Sequence, residues 1–233
     1  MPTKILTVAA LALVVARPMG AQQIPDVASY LMDDRAAEVV LARSAAPRNV
    51  SDSATVLVLT RTGFVEAAGG TNGFVCAVLR SFLGPIGAAN SWNPRVRSPN
   101  CFNPPAARTI LPVLKERAVW VLAGLSETEI GTRVQRAYAA HEFPMPAAGA
   151  MAYMLSREQY LDDAPPQNWM PHLMFYYDAS LGAATVGVGD LNASVLDLSG
   201  KDHYSPVLTL GIPVRRWSDG TPALPGAGHQ ESH

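Results

Sequence analysis

Charged residues are scarce in this sequence, and no run of basic residues occurs. Only 16% of the 233 residues are charged, and 18 Lys and Arg side chains stand against 19 Asp and Glu side chains. Proteins that bind nucleic acid or an anionic membrane surface through their charge carry a basic patch or stripe. The composition therefore argues against nucleic acid as a partner.

Several signatures of catalysis and cofactor binding are also missing. The chain has no G-x-S-x-G elbow, no P-loop, no EF-hand and no H-E-x-x-H motif. The segment GVGDLN, residues 187–192, lacks the third glycine and the strand–turn–helix setting of a dinucleotide fingerprint. These absences exclude the most easily recognised classes of hydrolase, metalloprotease, nucleotide-binding protein and calcium-binding protein.

No hydrophobic run reaches the roughly 20 residues that a membrane-spanning helix needs. The apolar run ILTVAALALVVA, residues 5–16, follows Lys4 and precedes small residues that end at Ala21. This is the layout of a secretory signal peptide. We therefore predict a signal peptide at 1–21, a single domain at 22–221 and a disordered tail at 222–233. Cleavage would leave 16 basic and 19 acidic residues, a net charge of −3, and no membrane span.

The chain has only two cysteines, Cys76 and Cys101. In an exported protein an isolated pair is most simply a disulfide, and this spacing fits neither a redox C-x-x-C motif nor a zinc knuckle. The intervening segment is rich in Gly, Pro and Asn, so we expect little regular structure there. Closing a loop of this length would stabilise the fold by roughly 3.5 kcal/mol in the chain-entropy model.

Hydrophobic periodicity and turn residues predict an α+β fold. We expect one domain built on a mainly antiparallel sheet, with two or three helices packed on one face. The predicted helices are one or two in 24–47, one that starts near 110 with Pro112 in its first turn, and one that starts at 126 with a Ser126–Glu129 capping box. The first predicted strand is 55–60, and with the segment through about 82, which has GGTNG as its turn, it forms a hairpin or three-stranded meander. The later predicted strands are 149–155, 171–177, 184–189 and 206–217.

Period-two alternation predicts which strand residues face the core. In the last strand, one face carries Leu208, Leu210, Ile212 and Val214, and we expect that face to be buried. Pro213 lacks an N–H group, so it belongs at an edge or a bulge.

The segment NWMPHLMFYYD, residues 168–178, is the strongest candidate site in the sequence. As a strand, it places Leu173, Phe175 and Tyr177 on one face, which we expect to be core. The opposite face carries Met170, His172, Met174, Tyr176 and Asp178, and is expected to face solvent or a pocket. Met and His are soft to borderline ligands, so Met170, His172 and Met174 are compatible with a copper(I) site. The favoured interpretation is structural, with the two methionines filling gaps and His172 hydrogen-bonded.

Two other histidines have weaker signals. His141 is expected in the last turn of the second predicted helix, where a histidine interacts well with the helix dipole. His203 follows Asp202 in a loop between strands and is a possible acid–base residue, although a solvated loop is favoured.

Several segments resemble an uncharacterised family of exported bacterial proteins. The resemblance is carried by GTNGFVC, WNPRVRSPNCFNPP, AMAYMLSREQYL, WMPHLMFYY and RWSDGTPA, and it covers most of the mature chain from about residue 55 to 223. It implies export, to the periplasm or beyond the cell, and a single domain. It implies no activity.

The sequence favours an exported, non-enzymatic protein that binds an unknown small molecule or an envelope protein, with no cofactor. The alternative is a small hydrolase or metal-dependent protein that uses His172, with Asp178 or His203 nearby. An enzyme should place His172 in a concave pocket with a second polar group about 3 Å away, whereas a binding protein should have an apolar cleft without such a pair.

Overall fold

The computed structural model describes residues 26–188, 194–200 and 202–223. It confirms the predicted α+β fold with one mainly antiparallel sheet. The helices are α1 (Arg35–Arg43), α2 (Arg48–Ser51), α3 (Pro104–Thr109), α4 (Leu111–Leu122) and α5 (Glu127–Ala139). The strands are β1 (Thr55–Thr60), β2 (Gly63–Ala68), β3 (Val75–Leu79), β4 (Ser98–Phe102), β5 (Met151–Met154), β6 (His172–Asp178), β7 (Leu196–Asp197) and β8 (Val207–Pro213). Short 3-10 turns lie at Val27–Tyr30, Ser81–Leu83, Ala179–Leu181 and Ala183–Val186.

The eight strands form one sheet in the order β2-β1-β3-β4-β5-β6-β8-β7. Strands β1 and β2 form a hairpin, but β3 lies on the other side of β1 and runs parallel to it. The predicted turn at GGTNG and the alternative of a meander are therefore wrong. The connecting segment GGTNG crosses the start of β1, where the Thr71 N–H donates to the Ser53 carbonyl at 2.8 Å. Gly70 permits this crossing, because a Cβ there would lie 2.2 Å from the Thr55 backbone nitrogen.

The helices cover both faces of the sheet. Helices α3, α4 and α5 pack on one face, as predicted for the helices that follow the first strands. Helix α1 packs on the opposite face against β1, β3 and β4. That second interface contains Ala42, Ala45, Val56, Val78 and the two cysteines.

The local signals for the two central helices are confirmed. Helix α4 begins at Leu111 with Pro112 in its first turn. Helix α5 has the predicted capping box, in which the Ser126 N–H donates to the Glu129 carboxylate at 2.8 Å. His141 lies just beyond this helix rather than in its last turn, because the chain leaves the helical conformation at Ala140 and His141 takes a φ of 57°.

Cys76 and Cys101 form the predicted disulfide. They lie directly opposite each other on the neighbouring strands β3 and β4, with their Cα atoms 3.9 Å apart. Both are fully buried under α1. The disulfide therefore links two strands at the centre of the sheet as well as closing the irregular segment between them.

Two predictions for the last third of the chain are wrong. The predicted strand 184–189 is a 3-10 turn over its first residues, and residue 189 lies outside the described part of the chain. The last strand ends at Pro213, and on its expected core face Leu208 and Leu210 are buried, but Ile212 is 36% exposed. Helix α1 packs on that face mainly against β1, β3 and β4, which lie away from β8 in the strand order.

The predicted signal peptide, 1–21, lies outside the described residues. Of the predicted tail, only Pro222 and Ala223 are described, and they pair back with Arg216 and Arg215. None of the helices in the described ranges has the length and apolar character that a membrane crossing requires.

Candidate ligand-binding cavity

A cavity of about 330 Å³ lies between the sheet and helices α4 and α5. We call it the central cavity. Its walls are mostly apolar, and it is partly open to solvent. Pockets that bind small molecules are usually concave and largely apolar, with volumes from roughly 300 to 1,000 Å³. The central cavity therefore falls at the lower end of that range.

Alternate residues of five strands form the floor of the central cavity. Side chains at positions i and i+2 share one face of a strand, and the cavity takes such residues from β3, β4, β5, β6 and β8. The floor residues are Leu79, Ser98, Asn100, Met154, Met174, Tyr176, Val207 and Thr209. Helix α4 and the end of α5 form the roof with Val113, Leu114, Arg117 and Tyr138.

Arg80, which follows β3, is a fully buried cation at the cavity wall. Its Nη2 atom lies 2.8 Å from the Glu38 carboxylate on α1, and its Nε atom donates to the Tyr30 carbonyl at 2.7 Å. It also donates to the Val78 carbonyl. Burial lowers the pKa of Arg80, and the charge of Glu38 opposes that shift. The positive charge of Arg80 is thus balanced by the negative charge of Glu38.

Arg117 on α4 is a second buried cation, and it is only 8% exposed. Its Nη2 atom donates to the carbonyls of Phe82 at 3.1 Å and Gly84 at 2.7 Å. Among the described residues, no carboxylate lies within 4 Å of it, and its buried Nε atom has no hydrogen-bond partner. Burial lowers the pKa of Arg117, and the more distant charge of Asp202 opposes that shift. Arg117 is therefore the cation of this cavity that lacks a neighbouring carboxylate.

A loop at 202–205 forms part of the cavity rim. The Asp202 carboxylate accepts from the backbone N–H groups of Ile86, Tyr204 and Ser205 at 3.2, 2.9 and 3.2 Å. The Tyr204 ring rests on Gly131 of α5, where a Cβ would lie 2.6 Å from the ring. These contacts hold the rim loop against α5 and the 84–87 turn.

The Asp202–His203 pair does not have the geometry of an acid–base site. The Asp202 oxygens accept backbone N–H groups, and the His203 side chain is exposed. Asp178 lies at the opposite end of β6 from His172, about 20 Å away along an extended strand. The structure thus does not bring His172 and Asp178 together, although they are neighbours in one short segment.

His172 is buried at the start of β6 and is 1% exposed. Its Nδ1 atom lies 2.8 Å from the Met170 carbonyl, which can only accept, so Nδ1 carries the proton. Its ring meets Trp169 edge-on, with the centroids 4.8 Å apart. His172 is not among the residues that line the central cavity. Burial lowers the pKa of His172 to about 4.

The core face predicted for β6 is wrong, whereas the opposite face agrees with the pocket alternative, because Met174 and Tyr176 line the central cavity. The face with His172, Met174 and Tyr176 is the more buried one, whereas Tyr177 on the expected core face is 38% exposed. Helices α3 to α5 cover the first face, and α1 does not reach the second face at β6. Alternation identified the two faces but could not tell which of them the helices cover.

The candidate copper ligands have different surroundings. Met170 is half-buried just before β6, and its carbonyl is bonded to His172. Met174 lines the central cavity, with its sulfur 4.0 Å from the Tyr176 hydroxyl. In the ranges that the structure describes, no three His, Cys, Asp or Glu side chains group together to hold a metal ion. Copper(I) binding by Met170, His172 and Met174 stays a prediction.

Comparison with known proteins adds no relative: no protein-family model, curated protein or solved structure matches this chain.

Because His172 is buried in its neutral form, we expect the folded protein to lose stability in acid. Its pKa lies near 4 in the folded protein and near 6.5 in the unfolded chain, so the unfolded chain binds the extra proton between these values. The stabilisation that depends on neutral His172 is therefore complete above pH 6.5. As the pH falls from 6.5 towards 4, the free energy of unfolding decreases by at most about 1.4 kcal/mol per pH unit. Urea denaturation at half-unit steps of pH measures this slope.

The matched variants are His172→Gln and His203→Gln. Glutamine at 172 can still donate to the Met170 carbonyl, so it should cost only about 1 kcal/mol at pH 7 and should flatten the acid slope. His172→Leu leaves that carbonyl without a donor and should cost roughly 1–3 kcal/mol. Because His203 is exposed, His203→Gln should change neither the free energy of unfolding at pH 7 nor its slope in acid. An unchanged acid slope in His172→Gln would refute the assignment to His172.

Proposed function

We propose that this chain is an exported bacterial protein that binds a small, largely apolar molecule in the central cavity. The observation that carries the proposal is the cavity itself. It has the volume of a small-molecule site, mostly apolar walls, and a few polar groups in Asn100, Arg117 and Tyr138. Apolar walls supply affinity by removing ligand surface from water, and a few polar groups fix its orientation.

Binding is favoured over hydrolysis because the candidate catalytic residues do not converge. His172 is bonded to a backbone carbonyl and does not line the cavity. Asp178 lies at the far end of β6 from His172, His203 lies in the 202–205 loop, and both side chains are exposed. A general base needs a partner and a substrate atom within hydrogen-bonding reach.

Three features support export. The predicted signal peptide and the resemblance to exported bacterial proteins both point to it. The disulfide between Cys76 and Cys101 is compatible with an oxidising compartment.

Binding can be tested with N-phenyl-1-naphthylamine, a neutral apolar probe whose fluorescence rises out of water. We expect the protein to bind it with a saturable increase in fluorescence. Leu114→Trp, which places a larger side chain in the cavity roof, should weaken binding by about tenfold or more, since overfilling a packed space costs on the order of 1–3 kcal/mol.

The control variant is Val40→Trp. Val40 lies on α1, on the other side of the sheet, and is 65% exposed. The Val40→Trp variant adds the same large side chain far from the cavity, so it should leave the affinity for N-phenyl-1-naphthylamine unchanged. Equal weakening by both variants, or no saturable binding to the wild-type protein, would contradict the proposed site.

A further inference from the structure

The buried cation of the central cavity bears on the chemistry of the ligand. A guanidinium has five N–H donors. In Arg117, three donor contacts go to the carbonyls of Phe82, Leu83 and Gly84, the one to Leu83 being long at 3.4 Å. The Nε–H group is buried without a described partner. Backbone carbonyls therefore orient Arg117. They leave one Nη1 N–H group and the positive charge of the guanidinium without a partner among the described residues.

The carboxylates nearest to Arg117 are engaged elsewhere. Asp202 accepts three backbone N–H groups of the rim, and Glu127 accepts from the Gly87 N–H at 2.7 Å. Neither lies within 4 Å of the Arg117 side chain. A buried charge is costly unless it is paired. Among the described residues, Arg117 therefore lacks the close counter-ion that Arg80 has in Glu38.

The geometry also restricts the direction from which an anion reaches Arg117. The side chain separates the central cavity from a space of about 10 Å³ beside Trp92. That smaller space has room for about one water molecule. Of these two spaces, the central cavity is the one large enough for a larger ligand to meet Arg117.

Two neighbouring groups define the charge of that ligand. Tyr138 lines the same roof, and burial raises its pKa to about 12, so it keeps its proton and can donate to an anion. Asp202 on the rim is negative and would repel a second negative charge. Arg80 is already matched by Glu38 and adds no free positive charge.

We propose that the ligand of the central cavity is an amphipathic monoanion, a carboxylate with an apolar body, whose carboxylate binds Arg117. This inference rests on the proposed binding function and narrows it to one ligand class. The apolar body lies against the methionine and leucine walls. The carboxylate accepts from Arg117 and Tyr138.

Isothermal titration with octanoate, 1-octanol and octyl phosphate tests this inference. The three probes share one apolar chain and differ in the head group. The wild-type protein should bind octanoate about tenfold or more tightly than 1-octanol, which is the range for a hydrogen bond to a charged group. Octyl phosphate, which carries a second negative charge near neutral pH, should bind more weakly than octanoate.

Arg117→Gln should remove the preference for octanoate while it keeps the affinity for 1-octanol. Lys115→Gln makes the same change of charge on the exposed side of α4 and should leave the preference intact. If Arg117→Gln does not fold, the ¹⁵N resonance of the Arg117 Nε in the wild-type protein decides the question. It should shift on adding octanoate and not on adding 1-octanol.

The possible failures are distinguishable. Equal affinity of the wild-type protein for octanoate and 1-octanol, or a preference that survives in Arg117→Gln, would overturn the carboxylate inference and leave the binding function standing. Tighter binding of octyl phosphate would overturn the choice of a monoanion. If none of the three probes binds, the proposed binding function itself fails.

Discussion

Replacing Glu38 with glutamine is expected to destabilise the protein by about 3–5 kcal/mol, the usual cost of removing one partner from a buried ion pair. The Glu38 and Arg80 side chains are 2% and 0% exposed, and Glu38 also accepts from the Leu59 N–H at 3.2 Å. Glutamine has nearly the same shape but no charge, so the buried Arg80 cation loses its counter-ion. Urea denaturation at pH 7 measures the free energy of unfolding.

Two further variants make the result specific to the pair. Glu116→Gln removes a carboxylate from the exposed side of α4 and should change stability by less than about 0.5 kcal/mol. The double variant Glu38→Met with Arg80→Met removes both charges and should recover much of the loss, because apolar residues can replace a buried ion pair at little cost. A Glu38→Gln protein as stable as wild type would show that the pair does not hold α1 to the sheet.

Removing the disulfide with Cys76→Ala and Cys101→Ala is expected to cost roughly 3.5 kcal/mol in the chain-entropy model. The bond joins residues 25 positions apart, and most of the intervening chain has no regular secondary structure. Without the bond, the unfolded chain regains the freedom of that loop. The measurement is the free energy of unfolding of the double variant against the oxidised wild-type protein.

Reduction provides an independent control for this prediction. Wild-type protein unfolded and refolded in excess dithiothreitol should match the double alanine variant to within about 1 kcal/mol, since both lack the same covalent bond. A double variant that is as stable as the oxidised protein would contradict the entropic account. Two free thiols in protein recovered from the periplasm would contradict both the disulfide and its use as support for export.

The central helices could be predicted because their signals are local. Pro112 fits only the first turn of a helix, and Ser126 with Glu129 satisfies the first free N–H groups of the next helix within four residues. The cysteine pair could be predicted for a similar reason, since two cysteines allow a single intramolecular pairing. In each case a few residues determine the structure, and the residues with which they interact can be identified from the sequence.

The pairing of β3 and the buried face of β6 could not be predicted, because both depend on distant segments. Strand β3 pairs with the far side of β1 only because the GGTNG segment crosses the start of β1 at Gly70. Both faces of β6 carry large apolar side chains, so the pattern alone does not select one. The choice follows from where α1 and α4 pack, which no residue of β6 encodes.

The central cavity has no signature in any single segment. Its floor takes one or two residues from each of five strands, and its rim includes the 202–205 loop, which is far from α4 in the sequence. One local signal did exist. Arg117 lies three residues after Leu114 and four before Val121, so it falls on the buried side of α4. A charged residue in that position indicates a buried polar site.

The most direct test of the binding site is a crystal structure of the protein with 8-bromo-1-octanol, in which the anomalous signal of bromine locates the ligand. The neutral alcohol tests the cavity independently of Arg117. We predict one strong bromine peak inside the central cavity, between the sheet residue Met174 and the helix residue Leu114. A cavity without a bromine peak at saturating ligand, or peaks on the outer surface alone, would contradict the proposal that this cavity binds an apolar molecule.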